Sequence, residues 1–529
     1  MSILEENGVK SQIIEGTEYV YIDEPYWDKA KKQNRHNREY VGKLGEGGEF
    51  IPNKNYLDRQ NEKGESVLES PVADRKYFGA TYLLDCIGKK SSLEGDLIEV
   101  FGEKTGKEIM SLAYFLVLEG ESSMYRFPKF AKTHRHPAEK VIFSQEISNI
   151  FMGITENEKA KFFKKRTKLC LANEHLVYDT TSISSYSETM EQVKYGHNKD
   201  LENLPQINLA MVLGEESRLP SYYRKMPGNI SDVTTIKKLL VDMGFLGIKK
   251  IKFVFDRGFC SGANINSMYK NRHKFVIAGR MNFELVKSSV EELREQVKEL
   301  ANYSEEHDIY CTTKESRWEY KYVDRRGRDK LSNRVIYVHV YYDGERAEHE
   351  KKKFVKRLKA AAGAFADGSC SAAQMNLCEK YFSQRENKGT VTLKHNQEAI
   401  NKYMQNFGYF TLLSNHIPSP QEAISIYRNK DLIEKAFYNL KNRLDMKRTK
   451  VSSEESLEGK LFVQFVALIY ASYISRIMSK EKLYKNYSMA SLLDELDVIE
   501  IFEYQGKKTH TSEITKKQRD ILHCFGVTL

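Results

Sequence analysis

KKIKFVFD (249–256), RGFCSG (257–262) and KFVIAGRM (274–281) read in order as a strongly apolar strand, a turn and a second strand, with a helix from about Ala263 between them. The runs are short, rich in β-branched and aromatic residues, and bounded by turn formers, which favours strands over helix. Asp256 closes the more apolar of the two. Upstream, HLVYDTTS (175–182), INLAMVLG (207–214) and LPSYYRKM (219–226) read as three further strands, the last after a turn. GNISDVTTIKKLLVDMG (228–244) has helical periodicity, with Ser231 or Asp232 near its cap. Asp179 sits at the end of the apolar part of the first strand.

Three antiparallel strands, a helix and then a strand is the opening order of a ribonuclease-H-like α/β domain. Residues 283–405 interrupt that order with a charged helix (VEELREQVKEL), a hairpin (DIYCTT, RWEYKYVDRRGRDK, RVIYVHVYY) and a very basic helix (AEHEKKKFVKRLKAAA). GYFTLLSN (408–415) then returns to the first domain. No proline occurs between Pro227 and Pro418, as expected of continuous folded structure. Residues 77–171 have helical periodicity, and residues 18–45 alternate around a basic middle, KAKKQNRHN, as a small antiparallel unit. The fold class expected is therefore α/β: a ribonuclease-H-like catalytic core (173–282 and 406–480), a mixed, strand-containing insertion subdomain (283–405), and a helical N-terminal DNA-binding region (76–172). A small strand-rich unit (1–75) precedes it and a helical region (481–529) follows.

The chain has 529 residues, 40% of them hydrophobic, which supports several buried cores. Its seven cysteines are odd in number and contain no CxxC pair, which argues against a disulfide framework or a zinc cluster and for a reducing compartment. The amino terminus, MSILEENGVK, has no basic segment leading into an apolar one, so no secretory leader is expected. The most apolar stretches, IMSLAYFLVL (109–118) and LFVQFVALIYASYI (461–474), fall short of the ~20 residues of a bilayer span and read as buried helices. The expected location is cytoplasmic, at the nucleoid, with no membrane partner. Net charge is +10, and residues 428–450 alone carry eight Lys/Arg against three Asp/Glu, which favours a polyanionic partner there.

That basic stretch begins with YRNKDLIEKAFYNLK (427–441), introduced by Ser419-Pro420-Gln421-Glu422, a capping-box spacing with proline at the first helical position. At about 100° per residue, Tyr427, Lys430, Glu434 and Lys441 fall within roughly 60° of one another. Leu432, Ile433, Ala436, Phe437, Leu440 and Leu444 form the neighbouring apolar stripe. One helix, or two with a break near Asn429, fits the pattern. A carboxylate ringed by cations suits a divalent metal beside a phosphate. In a ribonuclease-H-like sheet the strands of Asp179 and Asp256 are adjacent, so Glu434 would be the third oxygen donor. Two Mg2+ ions about 4 Å apart could then drive in-line phosphoryl transfer, with Mn2+ as a substitute.

At these residues the chain resembles the DDE transposases of bacterial insertion sequences, in particular the IS-four superfamily with its Tyr-x2-Arg-x3-Glu-x6-Lys signature. YDTTS around Asp179, FDRGF around Asp256 and the Tyr427–Lys441 segment carry the resemblance, over roughly residues 75–480. GHNKD (196–200) with Gln206, and GNISD (228–232), are similar to the IS1634-like group. The signature's arginine is Lys430 here, with Arg428 nearby; lysine cannot grip phosphate bidentately. The resemblance implies that Asp179, Asp256 and Glu434 are catalytic and bind the metal. It implies that Tyr427 and Lys430 contact phosphates near the transposon tip and Lys441 the backbone beside the active site, with Arg428, Arg443, Lys447 and Arg448 as further DNA contacts. Trp318 in the insertion could stack on an unpaired base. His197, Asp200 and Arg257 are candidates for support of the site, and Lys351, Lys352, Lys353, Lys356 and Arg357 for backbone contacts.

The activity implied is cut-and-paste transposition: binding of double-stranded DNA at terminal inverted repeats, metal-dependent strand cleavage, and transfer into target DNA by a homodimer. The alternatives are a non-catalytic DNA-binding protein descended from a transposase and a structure-specific nuclease of the same fold.

Overall fold

The computed structural model describes residues 9–14, 16–28, 31, 33–45, 48–57, 73–120, 123–170, 174–324, 326–387, 390–504 and 509–529. Most of the MSILEENGVK terminus, and Lys29, Ala30 and Lys32 of the expected basic turn, lie outside the described residues. The chain divides into two compact units, residues 1–75 with 501–511, and residues 76–500 with 512–529.

In the smaller unit, strands Val9–Ile14, Thr17–Asp28, Gln33–Leu44 and Phe50–Pro52 pair antiparallel with their sequence neighbours. Asp23 is buried there, bonded by Lys10 at 2.6 Å and His36 at 3.1 Å.

The larger unit is built on a mixed sheet. Its strands are β1 (Leu176–Ser184), β2 (Gln206–Gly214), β3 (Pro220–Pro227), β4 (Lys252–Phe255), β5 (Lys274–Ala278), β6 (Ile309–Val323), β7 (Asp329–Tyr342) and β8 (Tyr409–Ser414). The order across the sheet is β6-β7-β8-β5-β4-β1-β2-β3, with the two-residue strand Tyr303–Ser304 beyond β6. The pairs β1–β4 and β4–β5 are parallel, whereas β1–β2 and β2–β3 are antiparallel. In β2 every residue is buried, and in β1 every residue except Asp179; β2 reads as a nearly continuous apolar run, whereas β1 is apolar up to Tyr178 and rich in buried hydroxyls beyond Asp179. The long hairpin β6–β7 is joined through β8 to β5 and extends this sheet. Residues 344–407, by contrast, have a small core of their own around Phe354, Leu358, Tyr381 and Ile400.

Helices α1 (Asp232–Phe245), after β3, and α2 (Gly262–Lys270), between β4 and β5, together with the helices of residues 79–170, share one core with the sheet and with α5 (Glu454–Lys480). At 27 residues α5 is far longer than the apolar run expected from the sequence, and it is the one helix among the described residues long and apolar enough to cross a membrane. Its apolar window is 83% buried by protein, so here it is a core helix. Its first turns hold a charged cluster. Glu458 accepts from Lys159 at 2.5 Å and from Lys225 at 3.0 Å, and both ammonium groups are almost wholly buried.

GHNKD and GNISD meet at the start of β2. Gln206 pairs with Lys194 and donates its side-chain amide to the carbonyls of His197 and Gly228, each at 3.1 Å. A Cβ on Gly228 would collide with the carbonyls of Gln206 and Lys194, and one on Gly196 with the Gly228 carbonyl. Backbone meets backbone, so neither clash can be relieved by a rotamer. Gly228→Ala is therefore expected to destabilise the fold by about 1–3 kcal/mol, read as a lowered midpoint of thermal or urea unfolding.

Candidate active site

The register of the parallel pair β1–β4 runs Leu176↔Phe253, Val177↔Val254 and Tyr178↔Phe255. One step further, Asp179 lies abreast of Asp256. In-register residues on neighbouring parallel strands share a face and stand about 5 Å apart, so the two carboxyls face one another where β4 ends and part-way along β1, and the charge on Asp256 acts on Asp179. Asp256 leaves β4 into the short helical turn Arg257–Phe259.

Two helices bring the third carboxylate. Ser419 caps α3 (Pro420–Arg428), accepting from the Glu422 amide at 3.3 Å. The helix then tightens, with Lys430 N donating to Tyr427 O and Ile433 N to Lys430 O, and resumes as α4 (Asp431–Tyr438). Two helices with a break at Asn429 is thus the observed form. Asn429 donates to Glu215 at 2.6 Å, pinning the break to the sheet. Ile433, Ala436, Phe437, Leu440 and Leu444 are buried and Leu432 is half-buried, as the stripe predicts. Tyr427 donates to Asp256 Oδ1 at 3.0 Å. Lys430 Nζ lies 3.4 Å from Asp256 Oδ1 and 3.1 Å from Glu434 Oε1.

Lys441 does not stay with this group. The chain widens into a π turn over Asn439–Arg443, with Leu444 N donating to Asn439 O, and the helical phase shifts. Lys441 is buried and paired with Asp200 at 2.6 Å.

A second lysine, which the sequence reading passed over, holds the other side. Lys199 Nζ donates to the Thr180 carbonyl at 2.6 Å and Thr180 Oγ1 at 2.9 Å, and lies 3.5 Å from both Asp179 and Asp232. Thr180 Oγ1 donates in turn to Asp232 at 2.5 Å. Asp232, expected near a helix cap and as the last residue of GNISD, is a fourth carboxylate of the site. Helical periodicity alone does not separate it from an ordinary helix-start aspartate, and Lys199 lies inside GHNKD, between the expected candidates His197 and Asp200.

The charges respond to this crowding. Burial pushes the Asp179 carboxyl above its usual range against the pull of Lys199, and the charge on Asp256 adds to the rise. At Asp256 burial acts the same way, but Lys430, the Arg257 amide and the Tyr427 hydroxyl outweigh it and hold the carboxyl low. Lys430 is held above its usual value, because Asp256, Glu434 and Asp179 together overcome the cost of its burial. Burial depresses Lys441 despite Asp200.

The three expected carboxylates thus act on one ammonium. An all-oxygen, strongly anionic donor set of this kind suits a hard divalent cation, and in this structure Lys430 pairs with two of the three carboxylates. The ligand set is not closed, however. Among the described residues no three His, Cys, Asp or Glu side chains stand together so as to hold a metal ion; Glu434 pairs with Lys430 at 3.1 Å, and Asp179 lies 3.5 Å from Lys199.

The expected DNA contacts divide. Lys447 is exposed, as is Arg257, which was expected to support the site rather than to touch DNA. Arg428 is bonded to the His307 carbonyl at 3.1 Å, and Arg448 forms a two-pronged pair with Glu202, both bonds 2.8 Å. Two of the expected contacts face inward. Arg443 donates to the Val117 carbonyl at 3.1 Å and is depressed by burial. Trp318 gives its indole N–H to Asn266 at 2.8 Å and stacks on Phe283. His197 serves through its carbonyl rather than its ring. The exposed lysines Lys351, Lys352, Lys356 and Lys359 line a shallow depression on helix Gly344–Ala366. Beside Asp256 opens a larger cleft of about 940 Å³, lined by Arg257, Arg280, Arg346, Arg428 and Lys430.

Among curated proteins, no relative matches the chain. Among solved structures it is similar, at 11% identity over 76% of this chain and 70% of the other, to a piggyBac transposase seen by cryo-EM in a synaptic complex with hairpin DNA. The TM-score of 0.36 is too low for that likeness to assign the fold. The family model described as transposase DDE domain matches residues 172–470, which is more than half of the chain and takes in β1, β4 and α4 with their carboxylates. The chain belongs to the transposase DDE domain family.

Proposed function

We propose that the protein is a metal-dependent cut-and-paste DNA transposase of the IS-four type, with Asp179, Asp256 and Glu434 as its catalytic carboxylates on a ribonuclease-H-like sheet. The observation that carries this reading is the register that sets Asp179 beside Asp256, with Glu434 tied to Asp256 through Lys430. The strand order β5-β4-β1-β2-β3, with β2 alone running antiparallel to the rest, supports the fold assignment.

A divalent cation bound by these carboxylates would polarise the scissile phosphate and favour ionisation of the attacking water or 3′-hydroxyl. The chain's own groups do the rest. Tyr427 and the Arg257 amide fix Asp256. Lys199 and Asp232 orient Asp179 through Thr180. The arginine-lined cleft next to Asp256 offers a path for the phosphate backbone, and Lys447 and the lysines of Gly344–Ala366 offer exposed positive charge for longer DNA. The substrates are double-stranded ends carrying terminal inverted repeats, brought together by a homodimer, and target DNA.

Purified protein incubated with DNA carrying the repeats that flank its gene, with Mg2+ or Mn2+, is expected to bind those ends and break them at the repeat boundary. End binding without cleavage in either metal would favour a DNA-binding descendant, and breaks set by DNA shape rather than repeat sequence would favour a nuclease.

A further inference from the structure

The two lysines at the acidic site are held differently. Lys199 has two uncharged oxygens of Thr180 at 2.6 and 2.9 Å besides its two carboxylates, so it stays anchored when those carboxylates are taken up. The oxygen partners of Lys430 are Asp256 and Glu434, at 3.4 and 3.1 Å, longer than the roughly 2.7–2.9 Å of a good charge-assisted bond. It sits at the tightened turn between α3 and α4, on a flexible stem that lets the ammonium travel several ångströms without backbone movement. The cleft lined by Arg257, Arg280 and Arg428 begins at Lys430 itself. An ammonium leaving the carboxylates therefore has a neighbouring place in which a bound phosphate would receive it.

We propose that Lys430 is a built-in counter-ion of the acidic site, occupying the position of a divalent cation until that cation displaces it toward the phosphate of bound DNA. The inference rests on the metal-dependent reading above. It gives Lys430 two positions: in the metal-free protein it neutralises carboxylates that would otherwise repel one another, and in the loaded protein it holds substrate. The ammonium competes with the metal, and anything that draws the ammonium away raises metal affinity. Reciprocity makes metal and DNA phosphate favour each other's binding.

The test is Mn2+ binding to the full-length protein, followed by electron paramagnetic resonance of the free ion. Lys430→Met removes the competing charge and is expected to tighten Mn2+ binding about tenfold or more, given two carboxylates within a few ångströms of the lost charge. Lys430→Arg keeps the charge and is expected to bind no more tightly than wild type. Equal or weaker binding by the methionine variant overturns the counter-ion. If wild type binds no Mn2+ that Asp256→Asn abolishes, the metal-dependent reading itself falls, which is a separable outcome. Acylation of lysines in the wild-type protein, read by peptide mass spectrometry, needs no variant to fold. Saturating Mn2+ is expected to raise the reactivity of Lys430 and leave that of Lys199 little changed, and a Lys430 reactivity that is constant or falls contradicts the proposal.

Discussion

Asp256→Asn and Glu434→Gln are each expected to reduce metal-dependent cleavage of an end-bearing DNA by at least about a thousandfold, because carboxylates that act as one cation site fail as one. The substitutions preserve shape and remove charge. Glu434 is more than half exposed, so its replacement should leave the unfolding temperature and end binding nearly unchanged. Asp256 does more: it anchors Tyr427 and shares Lys430. Its amide variant is expected to loosen the α3–α4 junction as well, seen as faster backbone hydrogen exchange around residues 427–434. Cleavage within tenfold of wild type in either variant would remove the catalytic assignment.

The largest expected effect on stability lies elsewhere. Glu458→Gln should cost about 3–5 kcal/mol, because it leaves the ammonium groups of Lys159 and Lys225 buried with too little negative charge. Burial alone would raise the Glu458 carboxyl, but the two lysines outweigh it and hold the pKa below the usual glutamate range. A carboxyl depressed on folding stabilises fully above its unfolded pKa, near 4.3, and loses that contribution as pH falls through the lower folded value. Acid unfolding of the wild type should therefore steepen below about pH 4.3, and the glutamine variant should show less of that dependence. A drop in unfolding temperature too small to measure at neutral pH would show that Glu454 and Glu156, which also touch these lysines, suffice.

What could be read from the sequence follows what the physics makes local. The central strands are buried on both faces, so INLAMVLG appears as a nearly unbroken apolar run and HLVYDTTS begins as one, and these and GYFTLLSN fall within a residue or two of the observed strands. The capping serine and proline before α3 carry their own mechanism and mark its start. Asp179 and Asp256 were legible because each ends or interrupts an apolar strand, and Glu434 because it stands among cations. Features that depend on distant pairing were hidden. Nothing local tells the β6–β7 hairpin that it will continue the sheet through β8. The tightened turn at Asn429 and the π turn at Asn439–Arg443 change the helical phase, so a uniform 100° step kept Lys441 beside Glu434 when it pairs with Asp200 instead. The same shift sends Arg443 inward to Val117. Arg448 and Arg428 looked like phosphate ligands because their partners, Glu202 and His307, lie more than a hundred residues away. Asp232 shows the reverse case, a residue with an ordinary local role that tertiary contact recruits to the site.

The carboxylates on β1, after β4 and on α4 are proposed to hold divalent metal between them. The direct measurement is a crystal structure of the protein grown with Mn2+, with the ion located by its anomalous scattering. The predicted result is a peak at coordination distance, about 2.1 Å, from oxygens of Asp179 and Asp256, with Glu434 completing the shell and the Lys430 ammonium withdrawn from between them. Mn2+ bound elsewhere, or these carboxylates left bridged by Lys430 in saturating metal, would contradict it.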